Sequence, residues 1–277
     1  MIPGSLREAF ARMEDTPALW ITGLYLGALF AVEILLQALG NTVFGARIGF
    51  LGLCALPFFL GGAYGAIRGE GTGIHGYLGA GARYFFRILL AGAVIVSAAL
   101  LTAFLVAVPV TFLGGSIQDT GTLALLGVGT PFAFFTFFSD TAVVFEDRKV
   151  LDSIRRSVAF VTGNPGGAVA FYLVNLAIGM LILFLSLVIW SFTVADRLQP
   201  LVDANQTLFQ NLSAEQLVNL IGVPGLWAGV IIGFFAVLIG GTLLISFKAC
   251  FFRRMAPASP CIPEAGEFDE KGRWYRY

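Results

Sequence analysis

The side chains able to do chemistry in this sequence fall into three groups. Asp140 lies in the apolar run Phe134–Phe145, with Thr136 and Ser139 just before it. Glu33 sits in a second apolar run, with Gln37 four residues on. The third group is the densest: Glu146, Asp147, Arg148, Lys149, Asp152, Arg155 and Arg156 occur within eleven residues, and Asn164 follows. A carboxylate held in hydrocarbon is costly unless paired, hydrated or protonated, so Asp140 and Glu33 are candidate stations on a proton or solute path. Both acids also have a structural reading, Asp140 paired with a basic neighbour and Glu33 hydrogen-bonded between helices. At about 1.5 Å of rise per residue, the two would lie more than ~10 Å apart along the membrane normal and would not form one carboxylate pair. Acids and arginines at a membrane surface suit anionic headgroups, or acid–base attack on a lipid by Glu146, Asp147 or Asp140.

Other chemistries lack their residues. His75 is the one histidine, which leaves no histidine-built zinc or haem site and no persuasive serine–histidine–acid triad. Cys54, Cys250 and Cys261 make neither a metal-ligand spacing nor a disulfide framework. The glycines between Gly61 and Gly73 match neither a P-loop nor a dinucleotide fingerprint, and read as sites of close helix approach. Neither a cofactor nor a metal is expected, and nucleic acid is not an expected partner.

The elements that position these residues follow from composition. Of 277 residues 57% are hydrophobic and 12% charged, where a soluble domain carries about 25% charged. Such a chain cannot cover its apolar surface in water, so the bilayer is its solvent. Runs of the roughly 20 residues needed to cross a ~30 Å hydrocarbon core fall near 18–39, 47–67, 85–113, 121–145, 166–195 and 225–251. The first is longer than the roughly 7–15 residues of a signal-peptide core and is read as a retained span. The fold class expected is all-α, a six-helix polytopic membrane protein. Of the 17 basic residues, all but Arg47 and Arg197 fall on the side of the termini, which the positive-inside rule makes cytoplasmic. The expected location is the cell membrane. Trp20, Trp190 and Trp227 fall near span ends, where indoles prefer to sit. In the longest outer connection Asn205 and Asn211 head N-glycosylation acceptor patterns, and Ser213–Gln216 reads as a capping box opening a short helix.

The connections on the basic side share a design. Ser5–Glu8 reads as a capping box with Leu6, Phe10 and Met13 on one face, and Thr16-Pro17 restarts the helix. Ile74, Tyr77, Leu78 and Phe85 recur at helical spacing. Val150, Leu151, Ile154, Val158 and Val161 form a stripe from which Lys149, Asp152, Arg155 and Arg156 point away. The chain therefore reads as one membrane domain, 1–255, built of three parallel units (about 5–67, 72–145 and 147–251), each an amphipathic interfacial helix and a helical hairpin. A cytoplasmic tail, 256–277, follows. Pro57-Phe58 and Pro131-Phe132 mark the second span of the first two units, and Pro57, Pro109 and Pro131 are candidate kinks.

A span ending in Glu146-Asp147-Arg148, an amphipathic helix with Ser153 and Arg156-Ser157, then Asn164 and a new span resembles a widespread prokaryotic membrane domain. That domain is fused to some bacterial glycerophosphodiester phosphodiesterases and stands alone in uncharacterised bacterial and archaeal proteins. The resemblance is clearest across 120–190. It implies a fold family, not a reaction, since no soluble phosphodiesterase domain fits in these short loops. Three functions follow from the residues. The first is a non-enzymatic accessory, scaffold or lipid-interacting module, whose partners are the bilayer, anionic headgroups and a membrane or cytoplasmic protein. The second is a conduit for a small solute or lipid, in which Asp140→Asn abolishes flux into liposomes. The third is a lipid-modifying enzyme, in which loss of the interfacial acids abolishes turnover.

Overall fold

The structure, a computed structural model, describes residues 2–70, 73–112, 117–196, 199, 214–256, 266–268 and 274–276. It is that of an all-α polytopic membrane protein. Helix α1 (Ile2–Asp15) leads through a 3-10 turn, Pro17–Leu19, into α2 (Trp20–Ala38). Then come α3 (Thr42–Arg68), α4 (Gly73–Phe112), α5 (Ile117–Thr136), α6 (Ser139–Phe145), α7 (Val150–Gly163), α8 (Pro165–Thr193) and α9 (Ala214–Met255). Among the described residues six stretches are long and apolar enough to cross a membrane: Pro17–Ala38, Thr42–Arg68, Gly73–Phe112, Leu126–Phe145, Pro165–Thr193 and Gly222–Met255. In the tail β1 (Gly266–Phe268) pairs antiparallel with β2 (Trp274–Arg276), Gly266 opposite Arg276.

Local chemistry sets most boundaries. Pro17 opens the 3-10 turn, where its missing N–H costs nothing. Gly69 closes α3 in the left-handed region (φ 91°), and its N–H and that of Glu70 both bond the Gly65 carbonyl. Gly222, at φ 67° and ψ −179°, bends α9 just before Pro224 and separates a short first segment from the last span. That segment starts at Ala214; Ser213 and the acceptor asparagines Asn205 and Asn211 lie outside the described residues.

Three elements differ from the sequence reading. Helix α1 begins at Ile2, so Ser5 is no N-cap; it lies buried inside the helix on one face with Ala9 and Met13, while Phe10 is exposed. The segment around Tyr77 does not stand apart from the third span, because no residue between them stops the helix and α4 runs unbroken for 40 residues. The fourth span, expected to be continuous, is interrupted at Phe137–Phe138.

The chain divides into two compact units, each drawn from both halves of the sequence. The first comprises Met1–Arg83 and Ala170–Cys250. In it glycines let helices approach to backbone contact. A Cβ on Gly23 would overlap the Leu238 carbonyl and the Thr242 hydroxyl, and one on Gly27 would lie 2.8 Å from the Phe234 carbonyl oxygen. This is the small-residue crossing that replaces hydrophobic drive between helices in lipid. Tyr25 stacks on Phe59 at 3.8 Å and its hydroxyl donates to the Gly52 carbonyl. The Thr22 and Tyr77 hydroxyls lie 2.7 Å apart, each 3.1 Å from the Phe59 carbonyl oxygen. The Trp20 indole donates to the Met13 carbonyl and so ties α1 to the start of α2.

The second unit comprises Tyr84–Val169 and Phe251–Tyr277. Its core is aromatic: Phe138, Phe160, Phe251 and Phe252 are all at most 1% exposed. Ring centroids are 4.8 Å apart for Phe138–Phe160 and 4.9 Å for Phe160–Phe252. Outside these cores the long helices present large apolar side chains. Leu173, Leu176, Met180 and Phe184 of α8 are all more than half exposed, as expected where the neighbour is lipid.

Candidate functional site

The densest group of candidate residues assembles in the second unit, around α7. This helix starts after Lys149, which is extended (ψ 165°), and ends at Asn164. Asn164 in turn accepts the Ala168 N–H and precedes Pro165, the first residue of α8. Residues Ser153, Arg156, Ser157 and Phe160, spaced i, i+3, i+4 and i+7, form the buried face of α7. Leu151 and Val158 of the expected apolar stripe are exposed instead. The expectation that Arg156 points away with Asp152 and Arg155 is therefore corrected: Arg156 is 6% exposed, because a carboxylate and a helix end inside the unit both need its donors.

Those partners are specific. The Arg156 Nε donates to both oxygens of Glu146, at 2.8 and 2.9 Å, and its Nη2 donates to the Ala256 carbonyl at 2.9 Å. Ala256 directly follows α9, where unsatisfied carbonyls concentrate partial negative charge. One guanidinium thus neutralises an acid and caps the last span. The Arg148 Nε also reaches Glu146 Oε2 at 3.3 Å. Asp147 adopts a positive φ of 53° and pairs with Arg87. Asp152 and Arg155 stand 3.8 Å apart on the exposed side, a geometry worth little.

Ser157 performs a second task. Its Oγ accepts the Phe138 N–H at 3.0 Å and donates to the Phe135 carbonyl at 2.8 Å. These are backbone groups at the interruption between α5 and α6, where water is not at hand to satisfy them. The Thr136 hydroxyl bonds the Phe132 carbonyl at 2.6 Å and the Thr141 hydroxyl bonds the Phe138 carbonyl at 2.7 Å. The break is thereby built into the span. Asp140 lies two residues beyond it, half-buried, and its Oδ1 accepts the Thr141 N–H at 2.7 Å. Ser139 is buried beside it.

Glu33 belongs to the first unit. It is half-buried on α2, hydrogen-bonded to Gln37 at 3.5 Å, and a Cβ on Gly49 would stand 3.7 Å from its carboxylate. The chain stays helical through Pro57 in α3, Pro109 in α4 and Pro131 in α5. Among the described residues no three His, Cys, Asp or Glu side chains are grouped as a metal would require. Two buried polar features escaped the sequence reading. Lys248 is 8% exposed, 6.0 Å over the Tyr64 ring, and Ser157 appeared only as part of a motif. A serine among apolar helix positions was the available signal for the second.

What the arrangement does chemically is hold backbone. The Glu146 carboxylate is engaged by two arginines, Arg148 and Arg156. The chain matches no curated protein and no solved structure. A family model covers residues 2–255, and the chain belongs to that family, described as a domain of unknown function, DUF7847.

Proposed function

We propose that this integral membrane protein is a non-enzymatic accessory module of the cell membrane that engages anionic lipid headgroups through α7 and assists a membrane or cytoplasmic protein. The observation that carries the reading is the division of labour on α7. Glu146, Arg148 and Arg156 are committed to each other, while Lys149 and Arg155 are exposed beside the exposed Leu151 and Val158. An exposed cationic and apolar face of this kind suits an interface, each well-placed Lys or Arg adding about 1 kcal/mol near an anionic surface. Lys149→Glu/Arg155→Glu is expected to lower co-purified anionic lipid severalfold, an effect that weakens with salt. Unchanged lipid content, measured by mass spectrometry, would overturn it.

Both termini are assigned to the cytoplasm on the distribution of Arg and Lys. In a cysteine-free background, Asp196→Cys is expected to react with an impermeant maleimide added outside, and Lys149→Cys only after permeabilisation. The opposite pattern inverts the topology.

The parallel-repeat reading and the kinship with phosphodiesterase-fused membrane domains belong to the same proposal. Two parallels support the repeat. Glu70 pairs with Arg68 and Arg83 as Glu146 does with Arg148 and Arg156. Tyr77 and Ser157 both return a hydroxyl to a carbonyl shortly after a Pro-Phe pair, at Phe59 and Phe135.

A further inference from the structure

A cavity in the first unit remains outside everything described so far. It lies among α2, α8 and α9, has a volume of about 250 Å³, and is walled by Phe30, Ile34, Trp190, Leu226 and Val230. Gly222, Gly225 and Gly229 complete the wall, and a Cβ on Gly229 would stand 3.2 Å from the Trp190 Nε1. Trp190 supplies the one polar side-chain group of this lining, and its Nε1–H is already donated to the Gly225 carbonyl at 3.1 Å. Water entering would find no side-chain partner. Apolar cavities of about 150 Å³ stay dry yet accept hydrocarbon guests. The flanking surface of α9 is apolar and open, with Val223, Trp227 and Ile231 each about half exposed or more. Continuity with that exposed apolar surface selects the occupant, because a hydrocarbon chain of an adjoining lipid can reach in along it.

We propose that this cavity is a binding site for a single hydrocarbon chain of a membrane lipid, inserted between α2, α8 and α9 beside Trp190. The chain gains close contacts along the walls of the cavity that an empty space would forfeit. Headgroup charge plays no part, so the site stands independently of the anionic-lipid role of α7.

The test uses the full-length protein with Trp20, Trp227 and Trp274 replaced by Phe, leaving Trp190 as sole fluorophore. It is reconstituted in phosphatidylcholine vesicles whose acyl chains carry bromine, a contact quencher. Trp190 is expected to be quenched strongly, Leu226→Phe to cut the quenching by about half by filling the space, and Leu226→Ala to keep or raise it. Weak quenching in the parent, or equal quenching in both variants, overturns the proposal. Should one variant fail to fold, the other decides: Leu226→Phe quenched as strongly as the parent, or Leu226→Ala less strongly, overturns it. Because the vesicles are zwitterionic, failure here leaves the headgroup reading untouched.

Discussion

Ser157→Ala is expected to destabilise the protein by about 2–4 kcal/mol, with the damage concentrated where the fourth span is interrupted. The substitution removes one hydroxyl but takes a hydrogen bond from two backbone groups, the Phe138 N–H and the Phe135 carbonyl. Each buried group left unsatisfied costs about 1–3 kcal/mol. Side-chain hydrogen bonds between membrane helices are often worth only about 0.6 kcal/mol, because the separated helices find other partners. Main-chain groups at a helix break have no such alternative in hydrocarbon. Ser153→Ala is the matched control. Ser153 is equally buried on the same face of α7 but bonds only the Val150 carbonyl of its own helix, so its loss is expected to cost under about 1 kcal/mol. Thermal unfolding in detergent and amide exchange at Phe138 report the difference. Equal midpoints for the two alanine variants, with Phe138 exchange unaltered, would show that Ser157 does not hold the break.

The second large effect is at Arg156. Arg156→Met is expected to cost about 3 kcal/mol, since it removes two hydrogen bonds to Glu146 and one to the Ala256 carbonyl and leaves the carboxylate with the longer Arg148 contact alone. The Arg156 side chain is 7% exposed and that of Glu146 20%, against 42% and 53% for Arg87 and Asp147. Salt should therefore weaken the Arg87–Asp147 pair and leave the Arg156–Glu146 pair nearly unchanged. Arg156→Lys restores the charge but not the fork that reaches a carboxylate and a carbonyl together, so it should recover only part of the stability. In the double variant Glu146→Gln/Arg156→Met the loss should be smaller than the two single losses added. Additive losses in a denaturation series would mean that the two side chains do not act as a unit.

Hydropathy made the spans legible, and Thr16-Pro17 and the new span after Asn164 marked true helix starts. The bilayer explains what stayed hidden. In water an apolar stripe points to the core, but here lipid and protein interior are both apolar. The stripe of α7 was visible, yet Leu151 and Val158 are exposed while the polar Ser153, Arg156 and Ser157 lie inside. Small and polar positions, not the greasiest ones, marked the protein contact. The break at Phe137–Phe138 was invisible for a related reason. Its sequence, Phe134 to Ser139, is uniformly suited to a membrane helix, and the interruption is held by a serine some twenty residues later. Candidate residues were thus found by type, but their roles depended on tertiary partners that no local pattern encodes.

The Arg156–Ala256 bond has a consequence for biosynthesis. It joins residues a hundred positions apart, so the second partner is synthesised long after the first. Until then Arg156 and Glu146 are without the end of α9 that completes their surroundings. Each compact unit likewise draws on early and late sequence, so no N-terminal fragment ending before Cys250 contains a finished one. Split expression at the connection between α8 and α9 should yield halves that accumulate only together, and quality-control proteases should clear either half made alone.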